Sequence, residues 1–109
     1  MIRNCTPHDL NIVAREGMVT IPPSGIVPRC EQSEVEIGQI VLDDCIIPIT
    51  AQKFGEVIDL PEQEDGVYLV VSRLVAAACP DRNDLLIPGP LVRDEAGKVV
   101  GCKGLSKLA

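Results

Sequence analysis

The sequence predicts an α+β fold made mainly of antiparallel β-sheet, with one short helix packed on it. Hydrophobic residues make up 46% of the chain, yet Phe54 and Tyr68 are the only aromatic ones. The core must therefore be aliphatic, and Val and Ile favour strands. The apolar segments are short and are separated by Gly, Pro, Asn and Asp, which is typical of strands joined by turns. Only the segment after Ser72-Arg73 has the alanine-rich composition of a helix.

Strands and turns account for the N-terminal half. Residues 10–15 and 18–21 are predicted to form a hairpin around Glu16-Gly17. Residues 26–31 are predicted to be extended, with Pro28 at a sheet edge or a bulge.

Three further strands are predicted before the next loop, at residues 35–42, 45–50 and 54–60, with Asp43-Asp44 as a turn. We expect three apolar side chains of the first of them to point into the core: Val35, Ile37 and Val41.

The C-terminal half contains the predicted centre of the sheet. Residues 67–71 form a continuous apolar run, which indicates a strand covered on both faces. Ser72 is placed to cap a helix over residues 73–79, which Pro80 ends. A short strand at residues 85–87 and a hairpin of residues 91–93 and 98–102 complete the chain.

Length and charge limit the classes of function. The 109 residues fit one compact domain. The net charge of −6 argues against a nucleic-acid partner, because phosphate backbones are bound by clustered Lys and Arg. The charge is uneven, since residues 29–65 carry a net −8 and residues 66–109 a net +2. An anion would therefore be drawn to the C-terminal half.

The chain begins without a basic region followed by an apolar run, and no apolar stretch approaches the ~20 residues that span a bilayer. We therefore expect a cytoplasmic protein with no membrane partner. The five cysteines show no CxxC spacing, so we expect reduced thiols, mostly buried in the core, and neither a metal site nor a cofactor.

Several motifs resemble those of a group of small, uncharacterised proteins of bacteria and their phages. These motifs follow one another in the same order over almost the whole chain: Asn4-Cys5-Thr6-Pro7-His8-Asp9, residues 21–25, residues 68–72, residues 80–85 and the segment from Val92 to Cys102. Cys5 stands where the group usually has Leu, which indicates an apolar position. The resemblance implies a phage-linked context, hence the host cytoplasm, and supplies no activity. By analogy, small phage proteins often act without catalysis, by sequestering a host signal or blocking a host protein, which is an anti-defence role.

The junction of strand and helix is the sharpest candidate for a ligand site. Ser72 begins the helix, and Arg73 offers a planar donor for phosphate or carboxylate. His8, the only histidine, and Thr6 are polar groups that can contact a ligand or hold local structure. An ordinary helix cap with a solvated arginine is the structural alternative.

Three more polar residues are candidates for the same ligand. Arg82 can clamp a phosphate, and Asp84 can accept a hydrogen bond from a ribose hydroxyl. Both residues can instead stabilise a polar turn. Arg93, beside Asp94, has the same two interpretations.

These observations favour a non-enzymatic, homo-oligomeric protein that binds a small anionic or nucleotide-like ligand. We expect a homo-oligomer because short strands leave unpaired sheet edges, which association of identical chains can cover. One alternative is an interaction module that inhibits a host protein or serves phage assembly. A second is a small hydrolase that uses Cys102 or Ser72 with His8, although no spacing signature supports it.

Overall fold

A computed structural model describes residues 1–108. Ten strands and one helix follow one another in the chain: β1 Ile2–Asn4, β2 Leu10–Ala14, β3 Gly17–Ile21, β4 Arg29–Leu42, β5 Cys45–Ile58, β6 Tyr68–Val70, α1 Arg73–Ala78, β7 Leu85–Pro88, β8 Leu91–Arg93, β9 Val99–Cys102 and β10 Leu105–Ser106. Within this part of the chain, no helix has the length and apolar character needed to cross a membrane.

The first sheet has the strand order β1-β6-β7-β10. Strand β6 is parallel to both of its neighbours, whereas β10 is antiparallel to β7. The chain passes from β6 to the parallel β7 through α1, as parallel neighbours require a crossover connection. Ser72 caps α1 as predicted, because its Oγ accepts a hydrogen bond from the Val75 amide at 3.3 Å.

The second sheet has the order β3-β2-β9-β8. Its outer pairs are the two antiparallel hairpins expected from the sequence, although the first one turns at Arg15-Glu16, one residue earlier than predicted. At its centre β2 runs parallel to β9, through the pair Ile12 and Cys102.

The core lies on both faces of β6, as its continuous apolar sequence predicted. Leu69 and Val71 belong to a cluster with the helix residue Val75, while Val70 points the other way, to Leu10 and Cys102 of the second sheet. The three consecutive residues 69–71 are 0–1% exposed. β6 therefore positions both the helix and the second sheet.

The prediction of mainly antiparallel sheet is wrong, because β1–β6, β6–β7 and β2–β9 are parallel pairs. The broader α+β description holds. Local patterns identify antiparallel hairpins, since their strands are adjacent in sequence. The pairs β1–β6 and β2–β9 instead join strands that are distant in the chain, and β6 and β7 are consecutive strands whose parallel pairing depends on the crossover through α1.

Strands β4 and β5 form a separate long hairpin, residues 29–58, which we call the arm. It pairs only with itself and turns at Asp43-Asp44, where both residues have positive φ, as a two-residue hairpin loop with native twist requires. The turn and the extended residues 35–42 and 45–50 match the prediction, but they belong to two strands of 14 residues each, so the prediction of several short strands is wrong. The predicted inward direction of Val35, Ile37 and Val41 is also wrong, because these side chains are 44%, 66% and 69% exposed.

Candidate functional site

A solvent-facing cleft of about 450 Å³ lies where the two sheets meet. Its polar lining comes from the loop after β1, from the start of β2 and from the junction between β6 and α1, namely Thr6, His8, Asp9, Asn11, Ser72 and Arg73. Four of these residues were predicted as ligand contacts from the sequence: Thr6, His8, Ser72 and Arg73. The fold thus gathers them in one cleft, although more than sixty residues separate His8 from Ser72 in the chain.

The floor of the cleft is apolar. It consists of Leu10, Val71, Ile87, Pro88 and Leu91, of which the first three are buried in the core. A volume of this size with an apolar floor and few polar groups is typical of small-molecule sites. Such a floor suits the flat face of a ring, while the polar groups around it fix orientation.

The loop that carries His8 is held by the buried side chain of Asn4. Its Oδ1 accepts hydrogen bonds from the Thr6 amide at 3.0 Å and the Thr6 hydroxyl at 2.6 Å. Its Nδ2 donates to the carbonyls of His8 at 2.7 Å and Ile21 at 2.9 Å. Asn4 therefore fixes the backbone on which His8 stands, and the His8 side chain remains exposed.

Ser72 and Arg73 contribute differently to the cleft. The Ser72 hydroxyl already serves as the helix cap, so its remaining hydrogen-bonding capacity is what a ligand can use. Arg73 is exposed, and both ion pairs found among residues 1–108 involve other arginines, Arg3 and Arg82. Arg73 is thus the cleft's cationic group with a guanidinium available to an anion.

One wall of the cleft requires a glycine. A Cβ built on Gly101 would lie 2.8 Å from the carbonyl oxygen of Asn11, on the neighbouring strand β2. This distance is too short for a side chain, so Gly101 permits the close approach of β9 and β2 that shapes this wall.

The structure places Arg82 and Asp84 outside the cleft. The Arg82 guanidinium donates two hydrogen bonds of 2.8 Å to the Asp84 carboxylate and one of 2.9 Å to the Pro61 carbonyl. Hydrogen bonding to Arg82 holds the pKa of the buried Asp84 carboxyl below its usual range, and Asp84 in turn raises the pKa of Arg82. This pair ties the loop before β7 to the loop after the arm, which matches the structural alternative.

Arg93 also lies outside the cleft. Its guanidinium donates to the Gly97 carbonyl at 2.9 Å, across the turn between β8 and β9. In the same turn, Asp94 Oδ1 accepts hydrogen bonds from the amides of Ala96 and Lys98. This arrangement stabilises the hairpin. Arg93 is therefore an exposed arginine outside the cleft, against which substitutions of Arg73 can be compared.

The thiols are free, and their burial differs from the expectation of a mostly buried set. Cys5 and Cys102 are buried, Cys30 and Cys79 are half-buried, and Cys45 is exposed at the end of the arm. Cys102 is 2% exposed, and its Sγ donates to the Asn11 carbonyl at 3.5 Å. A thiol held in this way lacks the exposure that a nucleophile needs.

Sequence reasoning missed Asn4, Asp9 and Asn11, as well as the apolar floor. Asn4 had a recognisable signal, since Asn two residues before Thr favours a side-chain-bonded turn. The floor had none, because its residues come from three separate strands and from Val71, just after β6.

Among residues 1–108, no group of three or more His, Cys, Asp or Glu side chains is arranged to hold a metal ion. Comparisons of the chain with protein-family models, with curated proteins and with solved structures find no match.

Proposed function

We propose that the protein binds a small anionic, nucleotide-like ligand in the cleft and holds it without transforming it. The observation that carries the proposal is the meeting of Arg73, His8, Thr6 and Ser72 around an apolar floor. A nucleotide has the matching parts, a flat apolar base and an anionic phosphate. The resemblance to phage-linked proteins supports a role in sequestering a host signal.

Each group of the cleft has a distinct role in this proposal. The apolar floor takes the face of the base, and the Arg73 fork binds phosphate oxygens in a bidentate manner. His8 donates to an acceptor on the ligand or stacks on the base. Asp9, which also lines the cleft, accepts a hydrogen bond from a sugar hydroxyl.

The test is titration calorimetry with thermal-shift measurements against nucleoside phosphates, cyclic mononucleotides and dinucleotides, and inorganic phosphate. A ligand that binds only the native state must raise the melting temperature. The Arg73→Ala variant should weaken binding roughly ten- to a hundredfold, because a charge-assisted contact contributes about 1.5–3 kcal/mol. Arg73→Lys should lose much of this affinity too, since an ammonium lacks the planar fork.

Arg93→Ala is the matched control, because it removes the same charge from an exposed site outside the cleft. If the Arg73→Ala protein binds the nucleotide as tightly as wild type does, the cleft is not the binding site. Chromatography of the recovered ligand separates binding from catalysis, since a hydrolase would return a changed molecule. A pull-down from host extract that yields a stoichiometric protein, unaffected by nucleotides, would favour the interaction module instead.

A further inference from the structure

The distal part of the arm has one apolar face. In the antiparallel register, Val35 lies opposite Ala51, Ile40 opposite Ile47, and Leu42 opposite Cys45, while Ile49 faces Gly38. Directly opposed residues share a face, and alternate residues along a strand return to it. One face thus carries an apolar stripe: Val35, Ile40, Leu42, Cys45, Ile47 and Ile49.

The other face of the same segment is mixed. Its opposed pairs include Glu34 with Gln52, Glu36 with Thr50, and Gln39 with Pro48. Apolar side chains occur there as well, Val41 opposite Ile46 near the tip. The stripe face is therefore the one that lacks polar side chains from Val35 to the turn.

The stripe is uncovered in the single chain. Its Val, Ile and Leu side chains are between 38% and 58% exposed. A two-stranded ribbon is marginally stable by itself in water, because it has no second layer on which to bury an apolar face. A ribbon of 14 residues in each strand with such a face needs a cover.

We infer that a second copy of this chain covers the stripe, with the two arms stacked face to face and antiparallel about a twofold axis. The stripe of one copy can pack against the stripe of another, because a twofold interface joins the same patch on both molecules and both patches are apolar. Two stacked ribbons at sheet-packing distance would remove on the order of 1,000 Å² from water, where specific interfaces begin.

The charges at the two ends of the stripe fix the direction of stacking. Asp43 and Asp44 lie at the tip, just beyond Cys45, and Lys53 lies two residues beyond Ala51 at the other end of the same face. Antiparallel stacking brings the acidic tip of each arm to Lys53 of the other. Parallel stacking would bring the two acidic tips together, and the repulsion between their like charges would destabilise that arrangement.

The inference is tested by sedimentation velocity of the full chain over a range of concentrations. We expect a species of twice 11.7 kDa that dissociates on dilution. Ile40→Glu and Ile49→Glu should each raise the dissociation constant by more than tenfold, because each puts two charges into an apolar contact. Thr50→Glu, on the opposite face beside Ile49, is the matched control and should leave it nearly unchanged.

A charge exchange tests the direction of the arms. Lys53→Glu alone, and Asp43→Lys with Asp44→Lys, should each weaken the dimer several-fold, since each contact occurs twice. All three changes together should restore it. The dimer test does not depend on the proposed nucleotide binding, because the stripe shares no residue with the cleft.

Three outcomes would overturn the inference. One is an 11.7 kDa species at high micromolar concentration. Another is a dimer that survives both glutamate substitutions, which would indicate pairing at the strand edges. The third is a stripe that a different protein from the host covers while the chain itself stays monomeric. Circular dichroism of each variant distinguishes lost association from lost folding.

Discussion

Asn4 shows how a single buried polar side chain organises the site. It is 1% exposed and makes four hydrogen bonds, three of which hold the loop that carries His8. Buried polar groups are tolerated only when they are satisfied in this way. Local structure therefore explains Asn4 and Thr6 in the segment Asn4-Cys5-Thr6-Pro7-His8-Asp9, and the exposed side chain of His8 remains available to a ligand.

We predict that Asn4→Ala destabilises the protein by about 2–3 kcal/mol, because it removes the hydrogen-bond partner of three backbone groups, those of Thr6, His8 and Ile21, and opens a small cavity. Urea unfolding followed by circular dichroism measures the change. Asn83→Ala, at an exposed position, is the control and should stay within about 0.5 kcal/mol of wild type. If Asn4→Ala matches the control, the loop is held by other contacts.

Asp84 gives the protein a predicted acid sensitivity. Its pKa is lowered in the folded state by the hydrogen bonds from Arg82, so the unfolded chain binds the extra proton more readily. The stability from this pair is complete above the unfolded pKa, about 3.9, and is lost as pH falls through the lower folded value.

The measurement is the free energy of unfolding between about pH 5 and pH 2 for wild type and Asp84→Asn. We expect the variant to be less stable by about 1.5–3 kcal/mol at neutral pH and to lose less stability on acidification. Parallel pH curves for the two proteins would show that the Asp84 pKa is not lowered by folding. Asp81→Asn, which is exposed, controls for the loss of one negative charge.

At the scale of the elements, strand β6 and helix α1 were predictable, and the arm was predictable only in part. Its turn at Asp43-Asp44 and the extended residues beside it were expected, whereas its length and its separation from the two sheets were not. Val67–Val71 and the Ser-capped alanines carry strong local signals. The strands of the arm also carry apolar residues that alternate with polar ones, and alternation alone assigns such residues to a core. Whether Val35 faces a core or solvent depends on what packs against it, which a single sequence does not state. The parallel pairs β1–β6 and β2–β9 have the same nonlocal origin.

The candidate site was predictable in the same partial way. Residue type and junction position identified Ser72 and Arg73, because helix starts follow local rules. They identified Arg82 and Arg93 equally well, and only the fold shows that these two bind their own neighbours. The cleft itself depends on the meeting of two sheets, so its floor had no local signal.

The arm also changes what is expected of the cysteines. In dilute protein, where arms are separate, we predict that Cys45 reacts fastest with a thiol reagent, because it is exposed. Cys5 and Cys102 should react only after unfolding, because each is 2% exposed. Mass spectrometry of peptides from a labelling time course identifies each site. Rapid labelling of Cys102 would contradict its place in the core, and Cys45→Ser should remove the fast phase.

The whole molecule is a small core with a long projection. Its radius of gyration is 17.8 Å and its extents are 58 × 39 × 26 Å, whereas a compact domain of 100 residues has a radius near 13 Å. The two halves of this shape hold different proposed functions. The core contains the cleft, and the arm contains the stripe that a second copy covers.

The final prediction separates these halves. Residues 34–52 can be replaced by Asn-Gly, which joins the opposed residues Ser33 and Lys53 through a two-residue hairpin turn. Neither buried cluster, nor the side chains packed on them, includes any residue between 33 and 53. The shortened chain should therefore melt within a few degrees of the parent monomer, because it loses little buried surface.

The same deletion should abolish the dimer, since it removes the whole stripe, and should leave ligand affinity within about twofold, since the cleft is intact. Sedimentation gives the first quantity and calorimetry the second, with the Ile49→Glu chain as the full-length monomeric reference. Loss of folding would show that the arm supports the core. Loss of binding in both monomeric chains would show instead that the cleft needs the dimer, because the deletion and the point substitution share only the lost association.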